Sequence, residues 1–340
     1  MTSGSFCATL LVYMRQNFWK ELPRPFWGLA PMINVTDIAF RQIISKYSRH
    51  GQVNGGPDVF WTEFVAADGL DSKGQEKLLP MLAFDPKQEM PIVAQVFGSN
   101  PVHMKAAAKL VESLGFAGID INMGCPDKAV VKQGAGAGLI KTPEVARAII
   151  RAALEGAPTL PVSVKTRVGF NKEELDTWIP EILKEDIAAL TIHARTKKDM
   201  SDVPANWDYV KKVVELVKAS GKDIPVIGNG DIQSQTDGLA KQKQSGCAGL
   251  MVGRGIFGNP WFFDKDLKEE PSQAEKLRVL LEHTKLYEKL MGDRRNFAMM
   301  KKHYKAYVNG WAGAKELRVR LMECNTVMEV ENIITEELAK

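Results

Sequence analysis

The chain has 340 residues, 45% of them hydrophobic and 25% charged, with a formal charge of +4 and a pI near 8.7. That length can bury a sizeable core, and the ordinary balance of residues suits a soluble globular protein of one large domain plus a small one. Four widely spaced cysteines without a CxxC pair argue against a zinc module or a disulfide framework and fit a reducing, cytoplasmic setting.

Residues 1–24 read as an N-terminal extension. Its apolar run, Cys7 to Met14, is short and carries Thr9, with no small-residue cleavage site after it, so neither a secretory signal nor a membrane span is expected. Eight short apolar segments follow, at Trp27–Ala30, Val59–Thr62, Ile92–Phe97, Gly118–Asn122, Val162–Thr166, Ala189–His193, Pro225–Gly228 and Ala248–Val252. They have the density of fully buried parallel strands. Stretches such as VHMKAAAKLVESLG, TPEVARAIIRAALEG and WDYVKKVVELVKASG repeat apolar positions at three and four and end on glycine, as amphipathic helices do. Eight β-then-α units predict an α/β fold, a (β/α)8 TIM barrel over residues 25–263. A doubly wound sheet is the alternative, but no GxGxxG follows the first strand. The polar stretch 48–58 reads as a flexible insertion on the barrel rim, and 264–272 as a charged linker. From Ser272 a small all-helical domain, residues 272–340, is expected.

In a barrel the working residues sit at the C-terminal ends of the strands. Those positions carry Asn34 and Thr36, Glu63, Gln95, Asn122 with Cys125, Lys165, His193, Asn229 with Asp231, and Arg254. Cys125 lies between Gly124 and Pro126, in a loop able to raise a thiol over the barrel mouth. With a free pKa near roughly 8.5 such a thiol is protonated at neutral pH and can act as a general acid. Gly134–Gly138 can admit a phosphate or a flat ring, or form an ordinary turn. GNGD (228–231) and GRG (253–255) follow strands seven and eight, where barrels bind phosphates, so a phosphorylated cofactor is expected. Lys165 and His193 would face an anion or a reduced ring.

Charge concentrates late. Between Lys285 and Arg320 there are ten Lys or Arg against three acids, with Tyr287, His303, Tyr304, Tyr307 and Trp311 interleaved. Cations with stacking rings suit an RNA backbone and its bases, although a solvated helix face has the same look.

Taken together, APMINVTDIAFR (30–41), DINMGCP (120–126), VKQGAGAGLI (131–140), VKTRVG (164–169), TIHART (191–196), IGNGDI (227–232), VGRGIFGNPWFF (252–263) and KKHYKAYVNGWAGAKELRVRL (301–321) resemble the tRNA-dihydrouridine synthases. The resemblance implies a TIM barrel followed by a helical tRNA-binding domain. It implies FMN held by Pro31, Met32, Ile33, Gln95, Lys165, His193, Asn229, Gly230, Asp231, Gly253 and Arg254, with NADPH as reductant. A flipped uridine would take hydride from flavin N5 at C6 and a proton from Cys125 at C5, with Asn122 holding the uracil and Arg294, Arg295, Lys301, Lys302, Arg318 and Arg320 on the tRNA. No metal, no membrane and a monomer are expected. Two departures stand out. The first loop reads INVTD where many members have AGVTD, and the loop after His193 lacks a Tyr-Gly before its Trp. A free-pyrimidine dehydrogenase would share barrel, FMN and chemistry without needing the basic tail. A binding-only RNA protein would need neither Cys125 nor Lys165.

Overall fold

In the computed structural model, residues 17–340 are described, and the first sixteen positions of the expected N-terminal extension lie outside them. Eight strands form one parallel sheet: β1 Phe26–Leu29, β2 Phe60–Ala66, β3 Ile92–Phe97, β4 Gly118–Met123, β5 Val162–Arg167, β6 Ala189–His193, β7 Val226–Asn229 and β8 Gly249–Val252. Each strand from β2 onward pairs with the next, and β8 pairs with β1. A parallel bridge from Gly28 to Val59 and the bond from Leu29 N–H to the Val59 carbonyl (3.1 Å) bring the start of β2 against β1, so the sheet curls back on itself.

Side chains alternate along each strand and decide the two faces. Outward residues such as Ile92, Ala94, Val96, Ile119, Ile121, Val162 and Val164 join the large core under the helices. Those helices are α1 Ile38–Tyr47, α2 Pro101–Ser113, α3 Pro143–Gly156, α4 Leu175–Leu183, α5 Trp207–Ala219 and α6 Gln235–Ser245. Inward residues begin apolar and turn polar toward the strands' C-terminal ends: Val93 then Gln95, Ala189 then Thr191 and His193, Ile227 then Asn229. The apolar floor includes Phe18 and Trp19, which precede β1. Trp19 is fully buried, its ring 5.7 Å from Trp61 and 5.9 Å from Phe26. Residues 18 and 19 are therefore part of the core, a correction to the reading of 1–24 as a loose extension. Two large rings beside an apolar interior gain more from burial than any polar tail loses.

The stretch 48–58 is also corrected. It joins α1 to β2, so it lies at the end of the sheet opposite the strands' C-termini. Ser48 Oγ donates to the Pro260 carbonyl (2.7 Å), Arg49 pairs with Asp264 and Asp266, and His50 bonds the Pro57 and Met90 carbonyls. Its polar residues are spent on fixing it.

After the linker, Ser272 and Glu275 form a capping box that opens α7 Gln273–Met291. Then come α8 Lys301–Tyr307, α9 Ala314–Glu323 and α10 Val327–Leu338. Their core contains Leu280, Tyr287, Tyr304, Tyr307, Leu321 and Ile334 together with Ala39 and Ile43 of α1. Helix α1 is thus buried on two sides, with Phe40 and Ile44 toward the sheet and Ala39 and Ile43 toward the tail. Among the described residues no helix is long and apolar enough to cross a membrane.

Candidate active site

A cavity of about 610 Å³ opens at the C-terminal ends of the strands, within the size range of cofactor sites. Its walls include Pro31, Met32, Lys165, His193, Asn229, Gly230, Asp231, Gly253 and Arg254, gathered from β1, β5, β6, β7 and β8. Ile33 is not on the wall and is exposed. Gln95 is fully buried beneath the site and also off the wall.

Lys165 reaches Asn229 Oδ1 at 3.2 Å, and Asn229 in turn donates to the Met251 carbonyl (2.8 Å). Burial, then the nearby Arg167, pull the Lys165 ammonium down to about 8, while Asp120 and Cys125 push the other way. Lys165 makes no ion pair among the described residues, and its hydrogen bond is to Asn229. His193 Nε2 lies 3.1 Å from Arg195 Nη1. A guanidinium only donates, so Nε2 accepts and the ring proton sits on Nδ1. Burial, then Lys165, Arg167 and two further arginines, keep this ring neutral, well below its ordinary range.

Asp231 takes a left-handed backbone (φ 49°), and its carboxylate bridges Arg195 and Arg254, the latter at 2.9 Å, while accepting from Ala205 N–H. Burial pushes that carboxyl up, but these partners outweigh it and leave the group below its ordinary value. Asp231 therefore aims two arginines. A Cβ on Gly253 would project beside Met32 Sδ at 3.6 Å, and one on Gly230 would lie 2.8 Å from Ala205 Cβ. Bare backbone is required at Gly230, which also has φ 132°, whereas a Cβ at Gly253 would make only ordinary contact.

Cys125 is half-buried, and its loop is built from below by one chain of bonds. Ser163 Oγ and Gln95 Nε2 each donate to Asp120 (2.6 Å and 2.6 Å), and Asn122 Nδ2 donates to Gln95 Oε1 (2.9 Å). Asn122 Oδ1 then accepts from Gly124 N–H and Cys125 N–H at 3.0 and 2.8 Å. Asp120, fully buried, is raised to about 6 by burial against those bonds and Lys165. Arg167 fixes the loop from the side, donating to the Gly124 carbonyl (2.8 Å) and to the Thr196 and Met200 carbonyls. The glycine-rich run does the same from above. Ala137 N–H donates to the Cys125 carbonyl (3.0 Å), and Gly136, at φ 55°, leaves no room for a Cβ, which would lie 2.8 Å from that carbonyl oxygen. The run is a buttress, not a phosphate loop. Burial pushes the Cys125 thiol up, with Lys165 and Arg167 near enough to pull against it, so the thiol is protonated at neutral pH.

Asp120, Arg167 and Arg195 are absent from the set read off the sequence. Each lies inside a quoted motif (DINMGCP, VKTRVG, TIHART), two residues before Asn122 or after Lys165 and His193. For Asp120 and Arg167, within β4 and β5, that spacing puts them on the inward face and is the signal that finds them, whereas Arg195 lies just past the end of β6.

The tail places its basic residues unequally. Arg294, Lys305 and Lys315 are exposed and Lys301 half-buried, none in an ion pair among the described residues. Arg318 donates to the Val308 carbonyl and Arg320 pairs with Glu336. Arg295 and Lys302 turn inward, to Glu63 and to the Asn34 carbonyl. Tyr287, His303, Tyr304 and Tyr307 are buried, which corrects their reading as stacking rings. Cys247 and Cys324 are buried in packing. Among the described residues no group of three or more His, Cys, Asp or Glu could hold a metal.

Residues 28–340 match the family model described as dihydrouridine synthase. The chain is 40% identical over 326 residues to a Staphylococcus aureus (strain COL) protein named "Probable tRNA-dihydrouridine synthase", covering 95% of this chain and 96% of that one. It is 40% identical over 324 residues to "Probable tRNA-dihydrouridine synthase 2" of Bacillus subtilis (strain 168), covering 94% and 96%. Among solved structures, histamine dehydrogenase from Rhizobium sp. 4-9 superposes with a TM-score of 0.51 at 12% identity, over 76% of this chain and 48% of that one, a likeness of fold alone.

Proposed function

Since the chain belongs to the dihydrouridine synthase family, we propose that it reduces the C5=C6 bond of uridine in tRNA, with FMN in the cavity and NADPH as the reductant. The observation that supports this reading is the Cys125 loop, fixed at the C-terminal end of β4 by the Asn122 side chain (3.0 and 2.8 Å), at the same end of the sheet as the cavity that Lys165 lines, although Cys125 is not itself on that wall. On this reading the architecture is a (β/α)8 barrel followed by a helical tRNA-binding domain.

The donor set fits FMN. Lys165 would meet the electron-rich edge of the ring, with Asn229 holding its ammonium in place. His193, neutral with its proton on Nδ1, is a hydrogen-bond donor. Pro31 and Met32 supply an apolar wall. Gly230, Gly253 and Arg254 suit the phosphate, and Asp231 serves by aiming Arg254 rather than by touching an anion. When bound and reduced, FMN would supply the hydride to uracil C6.

The remaining chemistry belongs to the chain. Hydride addition leaves negative charge on the uracil that a proton at C5 must quench. The Cys125 Sγ–H supplies that proton. The thiolate left behind faces the Arg167 and Lys165 charges, which steady it until it is reprotonated. Asn122 has committed its oxygen to the Cys125 loop, and its amide keeps one N–H for the base. Gln95 orients Asn122 from beneath instead of touching the ring. Arg294, Lys301, Lys305 and Lys315 supply the sequence-independent phosphate contacts.

The test is spectroscopic. The purified protein is reduced anaerobically with NADPH and then mixed with unmodified tRNA, free uracil or free orotate. Fast return of the oxidised flavin band with tRNA alone is expected. Equal return with orotate or uracil would favour the free-pyrimidine reading.

A further inference from the structure

The basic tail and the cavity's apolar wall meet at Asn34. Its backbone is left-handed (φ 59°). Its N–H donates to Glu63 Oε1, and its carbonyl accepts from Lys302 Nζ. Glu63 is fully buried, and a register shift in β2 at this point aims it out of the regular ladder. Arg295 Nη1 donates to Glu63 Oε1 at 3.1 Å, and Nη2 stands 2.9 Å from Oε2 as an ion pair without a hydrogen bond. Two cations of the tail thus fix both backbone groups of one residue, Lys302 directly and Arg295 through Glu63.

Asn34 belongs to a tight loop. The Met32 carbonyl accepts from Val35 and Thr36 N–H, and Met32 N–H donates to Thr36 Oγ1 (2.9 Å). Met32 is on the cavity wall. Asn34 thus lies inside a turn closed on both backbone groups of Met32. Arg295 is 13% exposed at its side chain. Turning it toward a nucleic acid would strand the Glu63 carboxylate unpaired in the interior, which is strongly unfavourable.

We infer that Arg295 and Lys302 are positioning residues for the flavin side of the cavity, acting through Asn34, and not contacts for the tRNA. The inference rests on the flavin reading of that cavity. It makes cofactor affinity depend on a part of the chain remote in sequence.

The full-length chain carrying Arg295→Met, Lys302→Met or the conservative Arg295→Lys tests it. Three quantities are measured: the FMN Kd by quenching of flavin fluorescence, the shape of the bound flavin's visible band, and the tRNA Kd of the FMN-loaded protein. Arg295→Met and Lys302→Met are expected to raise the FMN Kd roughly fivefold or more, in line with couplings between linked sites. They should change the visible band and leave the tRNA Kd unaltered, with Arg295→Lys restoring part of the FMN affinity. An unchanged FMN Kd and band overturn the inference, whether or not tRNA binding weakens. Should Arg295→Met fail to fold, Lys302→Met still decides, since it strands no buried charge. A wild-type chain that takes up no FMN would remove the flavin reading itself, and is told apart by that first titration.

Discussion

Lys165 carries a charge that the site itself makes pH-dependent. Its ammonium is drawn down to about 8 in the free protein. An anionic ligand binds the protonated form, so binding raises that value, and affinity must fall as pH rises through the free value. FMN titrations should show constant affinity from pH 6.5 to 7.5 and progressive weakening above about 8; constant affinity to pH 9.5 would contradict the assignment. Asn34 shows what a single residue hides. Asn34, where the family resemblance leads one to expect glycine, sits at φ 59°, a region that glycine and asparagine enter most readily. Cys125 was legible because Gly124 and Pro126 flank it at a strand end. The depth of Gln95 was not, since strand-end position gives a level in the sheet but not which neighbour's side chain lies above.

At the scale of elements, the glycine-rich run carries the clearest test. Gly136→Ala places a Cβ against the Cys125 carbonyl at a left-handed φ, so it should cost about 1–3 kcal/mol of stability as strain at a special backbone position does. Thermal unfolding checks that figure, and dihydrouridine formation should fall while FMN loading persists. Equal activity with equal stability would mean the run does not brace the thiol. Trp19→Ala should destabilise by about 3–5 kcal/mol, as loss of a fully buried large ring does, with denaturant midpoints as the readout. The eight strands were readable because buried parallel strands are nearly continuous apolar runs. The tail's aromatic residues misled for a related reason. A ring that fills a core and a ring that awaits a base have the same composition and spacing, and only the packing of α1 against α7 tells them apart.

At the scale of the molecule, α1 is shared between the core beneath the sheet and the core of the tail. Lys46 and Tyr47 of α1 add bonds to Glu282 of α7 at 2.7 Å each. Cutting the chain after residue 271 would bare Ala39 and Ile43 and leave Glu63 without Arg295. Such a truncated chain is expected to be poorly soluble and free of flavin; a soluble, yellow fragment would show the two cores to be independent. The basic excess of residues 285–320 was visible in sequence, but its division was not. Charge counts record no direction, and the structure turns Arg295 and Lys302 inward while Arg294, Lys305 and Lys315 stay in solvent. The most direct test of the whole account is mass spectrometry of dihydrouridine in unmodified tRNA after incubation with NADPH and either the wild-type chain or Cys125→Ala. Dihydrouridine from the wild type, and about 10²–10⁴-fold less per unit time from the FMN-loaded variant, as loss of a general acid dictates, is the predicted result. No dihydrouridine from an FMN-loaded wild type would contradict the function, and equal rates from both proteins would contradict the role given to Cys125.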